Sequence, residues 1–238
     1  MKTEPAALNP VVRIVLVLCT PLVLLLSNLY VGATPAFIRY EYNKPDFPPA
    51  DLYDSAERLS LAEGTIHYMR SNEDVDYLMK LQSRGLPVYN PREIKHLVDA
   101  KRVMNAAFGL HGICLLLCLL ALAYSRSHPE RWRRAWQAVS LGCLLLFVLL
   151  ISIGLLAYAN FNSFFTTFHR LFFTGDSWLF SYSDTLIQLF PLPFWMDATW
   201  LMSLPTLAEC AIVGLAAYAF SRRLKPRQRR AQGCCKVP

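Results

Sequence analysis

The segment AVSLGCLLLFVLLISIGLLAYA, residues 138–159, runs for 22 residues without a charged side chain. The hydrocarbon core of a bilayer is about 30 Å thick, and a helix of about 20 apolar residues crosses it. This segment therefore predicts a transmembrane helix. Three further runs, 11–32, 103–124 and 201–220, are of similar length, and each carries at most one acidic or basic residue. The sequence thus predicts an all-α membrane protein with four transmembrane helices.

The basic residues are distributed unevenly between the loops that join these four runs. The net charge is +7, and Arg and Lys concentrate in the loop 125–136 and in the tail after Phe220. The segment 160–200 contains one Arg against three Asp. Basic loops of membrane proteins stay in the cytoplasm, so both termini are expected there. This pattern favours a topology signal over a nucleic-acid partner. The first apolar run, 11–32, is longer than the roughly 7–15 apolar residues of a signal peptide, so we expect it to be a transmembrane helix instead.

The predicted topology leaves two segments on the extracytoplasmic face, and together they are expected to form a cap. Turn residues and aromatics in the second segment, at 178–194, favour short β-strands in this cap. The whole division is 1–34 for the N-terminus and first helix, 35–102 for the first cap segment, 103–125 for the second helix, 126–137 for the cytoplasmic loop, 138–160 for the third helix, 161–200 for the aromatic cap segment, 201–221 for the fourth helix and 222–238 for the basic tail.

Several kinds of site are missing from the cap sequence. All seven cysteines lie in the predicted spans or in the tail, where Cys234 and Cys235 are adjacent. The cap therefore has no cysteine for a disulfide or a thiolate metal site. The chain also has no HExxH, no GxSxG and no phosphate-binding glycine loop. Histidines are the best remaining candidates for chemistry, and we expect neither a metal nor a cofactor.

The segment NPREIKHLVDAKRV, residues 90–103, predicts a helix that runs without a break into the second span. Asn90 is a favourable N-cap, Pro91 occupies the first helical position, and Glu93 completes a capping box. At 1.5 Å per residue, His96 lies about 10 Å before the apolar run, at the level of the lipid headgroups. Asp99 follows three residues later and shares the same helix face.

The segment FNSFFTTFHRLFFTGDSW, residues 161–178, places His169 among seven Phe and Trp residues. The run is too short to span a bilayer, so it predicts an interfacial helix. Aromatic belts are common at membrane boundaries, and an interfacial histidine is often only a packed, hydrogen-bonded side chain. However, desolvation disfavours imidazolium, which would keep the His169 ring neutral as a base or a metal ligand. The topology brings His169 and His96 to the same membrane face.

Two ionisable residues are expected inside the spans, where such groups are costly and often functional. His111 and Glu209 each lie about eight residues from the extracytoplasmic end of their span, by the rise of a helix. Their matched depth suggests that they contact one another. A structural clasp between two helices is the interpretation that we favour for this pair.

Taken together, NPREIKHLVDAKRV at 90–103 and FNSFFTTFHRLFFTGDSWLFSYSDTLIQLFP at 161–191 resemble the bacterial lipoprotein intramolecular transacylase (Lit) family. The order of one span, a large exported loop, three more spans and a basic end is also similar to that family. The resemblance implies an acyltransferase that moves the sn-2 acyl chain of a diacylglyceryl-cysteine lipoprotein to its own α-amine. It also implies that His96 and His169 are the catalytic residues. Ala100 departs from the family pattern, as do the SYSD and LPFW stretches that flank the DTLIQLFP run.

The implied reaction needs two proton transfers that histidines can perform. The α-amine must lose a proton, and the leaving glyceryl oxygen must gain one. We expect neutral His169 to be the base and His96 the acid, although the two roles could be exchanged. Asp99 is expected to orient His96, as carboxylates do for other catalytic histidines. Four aromatics, Phe165, Phe168, Phe172 and Trp178, are expected to line the substrate pocket.

Two alternatives from other classes remain open at this point. A metal-dependent membrane lipid hydrolase would use His96, Asp99 and His169 as ligands. A non-catalytic tetraspan scaffold or channel would need neither histidine. The favoured interpretation places a multi-pass enzyme in the bacterial cytoplasmic membrane, with its active site on the extracytoplasmic face. Its partners would be diacylated lipoproteins and membrane lipid.

Overall fold

Four long helices dominate the computed structural model, which describes residues 8–224. The four candidate spans within that range are Pro10–Gly32, Pro91–Ser125, Pro129–Ala159 and Leu192–Arg223. The first of them consists of α1 (Pro10–Ser27) and the short α2 (Leu29–Gly32), and the other three are α6, α7 and α10. The prediction of a four-span, all-α membrane protein is confirmed. The predicted basic tail lies mostly outside the described residues, as do Cys234 and Cys235.

Shorter elements form the cap, between the first and second spans and between the third and fourth. They are α3 (Pro35–Tyr42), α4 (Ser55–Arg70), α5 (Val75–Lys80), β1 (Gln82–Ser83), β2 (Leu86–Pro87), α8 (Phe161–Phe172) and α9 (Thr185–Leu189). The strands β1 and β2 pair antiparallel as a small hairpin. Its turn holds Arg84 and Gly85 at positive φ, a conformation that glycine adopts without steric cost.

The membrane helices pack around α1, which contacts α6, α7 and α10. One close approach involves Gly142 of α7, where an added Cβ would lie 2.9 Å from the Val17 carbonyl oxygen of α1. A second close approach brings Gly214 of α10 against Cys143 of α7. Small residues at such crossings let helix backbones approach closely, and close packing is what holds membrane helices together.

The cap has a hydrophobic core of its own, separate from the core of the membrane bundle. Ile38 of α3, Leu78 of α5 and Leu189 of α9 are almost completely buried there. Phe194, at the start of α10, belongs to the same cluster. Because α6 and α10 each extend from the bundle into this core, the cap is fixed to the membrane helices.

Two local predictions differ from the structure. The segment 178–194 forms turns and the helix α9, and the only described strands lie earlier, at 82–87. The backbone of this stretch bonds locally, as from the Gln188 N–H to the Asp184 carbonyl. The Thr185 side chain reaches Tyr53 and Val88 across the cap. The helix α3 begins at Pro35, with Thr34 as its N-cap, and extends to Tyr42. The fourth helix begins at Leu192 instead of 201.

The predicted contact between His111 and Glu209 is wrong. Among the described residues, the His111 ring contacts Ser27, with Nε2 3.1 Å from the hydroxyl oxygen. Glu209 instead accepts a hydrogen bond of 3.1 Å from the Asn28 side-chain amide. His111 and Glu209 therefore bond to adjacent residues of the first span, Ser27 and Asn28, and not to one another.

Candidate active site

The start of α6 is fixed by a network centred on Glu93. The Asn90 side chain accepts hydrogen bonds of 3.0 Å from the backbone N–H groups of Arg92 and Glu93. The Glu93 carboxylate is 1% exposed and accepts from the backbone N–H groups of Asn90 and Leu186, both at 2.8 Å. The predicted capping box is therefore confirmed, and its carboxylate also binds α9. His96 lies about one helical turn further along this anchored segment.

His169 lies near the end of α8, and its tautomer follows from its hydrogen bond. Asn160 caps this helix by accepting from the Ser163 backbone N–H at 2.9 Å. The Nδ1 atom of His169 lies 2.8 Å from the Phe165 carbonyl oxygen. Because a carbonyl only accepts, Nδ1 carries the proton and donates it. The Nε2 lone pair of the neutral ring is then available as an acceptor or a base.

The structure brings His96 and His169 together at one end of the helix bundle. Their ring centroids lie 6.0 Å apart and the ring planes differ by 24°. Phe173 lies against both rings, at 4.7 Å from His96 and 5.5 Å from His169. Phe180 packs edge-on against His96 at 5.4 Å. The predicted convergence of the two residues is therefore present in the fold, within an aromatic enclosure.

Burial determines the electrostatic state of His169, which is 8% exposed. Desolvation lowers the pKa of His169 below its ordinary value of 6.5, and the hydrogen bond to the Phe165 carbonyl offsets part of that shift. The neutral ring expected from the sequence is therefore favoured near neutral pH. The Nδ1 atom of His96 is buried and has no hydrogen-bond partner among residues 8–224.

Asp99 makes a different contact from the one that its spacing suggested. Its carboxylate accepts a hydrogen bond of 3.0 Å from Arg102, on the same helix. Since Nδ1 of His96 has no partner in the described part of the chain, Asp99 does not hold that atom through a hydrogen bond. Any influence of Asp99 on His96 must act through its charge at a distance in this conformation.

The four predicted pocket aromatics surround His169 closely, with one exception. Phe165 lies 4.1 Å from the His169 ring centroid, Trp178 lies 5.0 Å away and Phe168 lies 5.7 Å away. Phe172 packs on Phe168 at 4.8 Å and reaches the site through that ring. The side chains of Phe168 and Phe172 are also exposed. They present an apolar surface beside the two histidines.

An ion pair that the sequence did not reveal ties the start of α6 to the DTLIQLFP run, residues 184–191. Asp184 binds the Arg92 guanidinium at 2.8 Å and accepts from the Asn90 side chain at 2.9 Å. Thr185 donates to the Val88 carbonyl at 2.7 Å. Asp184 and Thr185 belong to the DTLIQLFP run, so that motif is structural at these positions. The polar residues of this run could have indicated contacts within the cap. Their partners lie about 90 residues away in the sequence, so the sequence alone could not identify them.

Among residues 8–224, no group of three His, Cys, Asp or Glu side chains is placed to hold a metal ion. His96, Asp99 and His169, the ligands of the hydrolase alternative, therefore do not form such a group in this conformation. The arrangement is better suited to proton transfer between two neighbouring imidazoles.

Comparisons with known proteins relate most of the chain to one family. The family model for the lipoprotein intramolecular transacylase Lit matches residues 14–195. An uncharacterized protein of Aquifex aeolicus (strain VF5) is 28% identical over 195 residues, which cover 81% of this chain and 86% of the relative. Among solved structures, the membrane integral transacylase Lit from Bacillus cereus matches with a TM-score of 0.71 and 19% identity, over 90% of this chain and 94% of that chain. A variant of that protein with a histidine replaced by alanine matches with a TM-score of 0.60 and 20% identity, over 90% and 92% of the two chains.

Proposed function

The chain belongs to the lipoprotein intramolecular transacylase family, and we propose that it moves the sn-2 acyl chain of a diacylglyceryl-cysteine lipoprotein to the α-amine of the same cysteine. The product is a lyso-form, N-acylated lipoprotein. The observation that best supports this particular reaction is the pair of imidazoles 6.0 Å apart inside an aromatic enclosure. Two such groups can serve the two ends of one acyl transfer.

The substrate carries its own nucleophile, which determines what the protein must supply. The amine attacks the sn-2 carbonyl through a ring of about eight atoms, so both reacting groups are tethered but flexible. The new bond is the amide C–N, and the broken bond joins the carbonyl carbon to the glyceryl oxygen. One proton leaves the amine and one proton reaches the glyceryl oxygen, so the reaction needs no net acid or base.

His169 is the group suited to accept the amine proton. Its Nδ1 donates to the Phe165 carbonyl, which leaves the Nε2 lone pair for the substrate. Burial keeps the ring neutral, as a general base requires. Burial and the neighbouring His169 lower the pKa of His96 to about 4, so this ring is also neutral before turnover. His96 would receive the proton from His169 and then give it to the glyceryl oxygen. Two rings at this distance disfavour a double positive charge, so a single proton is shared between them during turnover.

The aromatic residues are assigned to binding and to the exclusion of water. Phe165, Phe168, Phe172 and Trp178 would hold the acyl chains against the His169 ring, at the distances given above. Exclusion of water matters because water would otherwise hydrolyse the same ester. Asp99 would favour a transient positive charge on His96 by its own negative charge, although Arg102 offsets part of this effect.

The site is proposed to face the extracytoplasmic side of the bacterial cytoplasmic membrane. Supporting this orientation, the two histidines lie at the end of the bundle opposite the loop 125–136, where four arginines are found. Basic loops are retained in the cytoplasm. Diacylated lipoproteins that are anchored in the outer leaflet could reach the exposed Phe168 and Phe172 from the lipid phase.

Tandem mass spectrometry of a synthetic diacylated lipopeptide tests this function. Intramolecular transfer leaves the mass of the lipopeptide unchanged and moves the sn-2 acyl group to the amine, which the fragment ions reveal. A mixture of two lipopeptides, one with a deuterated sn-2 chain, should show no exchange of label. Release of the free fatty acid would indicate a hydrolase instead, and an unchanged fragment pattern would indicate no activity.

A further inference from the structure

A basic groove lies at the end of the bundle opposite the histidines, between α1 and α7. It has a volume of about 650 Å³. Its polar lining comes from Arg13 on α1 and from Arg133, Arg134 and Gln137 on α7. Each arginine lies within about one and a half turns of the start of its helix, so the three lie at a similar depth.

The groove has an apolar floor that continues along both helices toward the middle of the bundle. Ile14 and Leu18 of α1 line it together with Leu141 of α7, and all three side chains are exposed. Just beyond Leu141, the backbones converge where Gly142 packs on Val17. The two helices are therefore in close contact beside the apolar floor of the groove.

The charges in the groove are only partly neutralised within the described chain. The Glu130 carboxylate binds Arg133 at 2.7 Å and Arg134 at 3.0 Å. Arg13 makes no ion pair with any residue between 8 and 224, and it is exposed. Three guanidinium groups and one carboxylate leave an excess of about two positive charges beside an apolar wall. Guanidinium groups match the geometry of a phosphate, which they can bind through two hydrogen bonds.

We propose that this groove binds one anionic phospholipid of the bilayer. The phosphate would lie between Arg13 and Arg134, and an acyl chain would follow Ile14, Leu18 and Leu141 into the membrane. Basic pockets at the ends of transmembrane helices are suited to such headgroups. A free phosphate would not use the apolar wall, which is why a lipid is the occupant to which the geometry points. This site is separate from the transacylase site and does not depend on the proposed function.

Lipid binding to the full-length purified protein tests this proposal without any measurement of activity. The probes are phosphatidylglycerol, phosphatidylcholine with matched chains, and glycerol 1-phosphate. Native mass spectrometry should show a retained phosphatidylglycerol adduct, and that lipid should raise the melting temperature. Equal binding of phosphatidylcholine would overturn the role of charge. Equal binding of glycerol 1-phosphate would overturn the role of the apolar wall.

Two matched variants locate the binding site. The double substitution Arg13→Gln with Arg134→Gln should weaken phosphatidylglycerol binding about tenfold or more, since each surface cation contributes to attraction. Arg222→Gln with Arg223→Gln removes the same charge at the end of α10, outside the groove, and should retain the affinity of the wild type. Gln137→Glu adds a negative charge at the groove and should also weaken binding, which keeps the test decisive if the double variant does not fold. Unchanged affinity in every folded groove variant would contradict the proposal.

Discussion

At the scale of single residues, the hydrogen bond from His169 to Phe165 determines what the imidazole can do. Because Nδ1 donates to the Phe165 carbonyl, the lone pair of the neutral ring is on Nε2, which can accept a proton from a substrate. Burial then disfavours the charged ring. A surface histidine would have neither property. The aromatic residues around His169 thus contribute electrostatically as well as by their shape, because they remove the water that would solvate an imidazolium.

The lowered pKa of His169 predicts a pH dependence of stability. The unfolded chain binds a proton near pH 6.5, whereas the folded chain resists protonation until lower pH. The unfolded state therefore binds more protons below pH 6.5, so stability is lost as pH falls through that window. In detergent, the melting temperature should fall between about pH 7 and pH 5. His169→Gln should fall less over the same range, and an identical dependence in the variant would contradict the assigned cause.

Glu93 is a buried residue that should support both the stability of the fold and the rate of acyl transfer, because it positions the start of α6. Glu93→Ala removes the acceptor of two backbone N–H groups, those of Asn90 and Leu186. Each buried donor left without a partner costs roughly 1–3 kcal/mol. The variant should melt at a lower temperature and transfer acyl chains more slowly, because the start of α6 loses its anchor near His96. Glu73→Ala, at an exposed position, is the control; equal effects of the two substitutions would argue against the anchor.

At the scale of elements, the packing of α7 against α1 depends on the absence of a side chain at Gly142. A Cβ at this position would lie 2.9 Å from the Val17 carbonyl and 3.1 Å from the Pro21 ring. Gly142→Ala should therefore lower the melting temperature, although alanine is the better helix former by about 1 kcal/mol. Gly154→Ala lies on the same helix with open space around its Cβ. It should be neutral or stabilising, and destabilisation by both substitutions would point to another cause.

Local sequence patterns accounted for the helices of this protein better than for its cap. The capping box at Asn90, the unbroken α6 and the helix α8 all depend on neighbours within a few residues, and all three are present. The segment 178–194 was misassigned because Thr185 and Gln188 bond to distant partners in the cap. The same reason hid the contact of Asp184 with Arg92. The predicted membrane topology placed His96 and His169 on the same face. The distance between the two rings depends on tertiary packing and could not be predicted from the sequence.

At the scale of the whole molecule, the bundle separates two chemically different ends. The histidines and their aromatic enclosure lie at one end, and the basic groove lies at the other. The orientation predicted from the charges can be measured with reporter fusions. A fusion at Asp176 should be exported, and a fusion at Arg230 should remain in the cytoplasm. The reverse result would place the histidines on the cytoplasmic face and would exclude the proposed access of exported lipoproteins.

The central claim is that His96 and His169 act together in acyl transfer. The most direct measurement is the yield of N-acylated lipopeptide, by tandem mass spectrometry, from purified wild-type protein and its His96→Ala and His169→Ala variants. His67→Ala, an exposed histidine of α4, is the matched control. Each variant is first checked for a cooperative melting transition in detergent. We expect near-complete loss of product for His96→Ala and His169→Ala and unchanged yield for His67→Ala. A folded variant that lacks either ring and still forms most of the product would contradict the two-histidine mechanism.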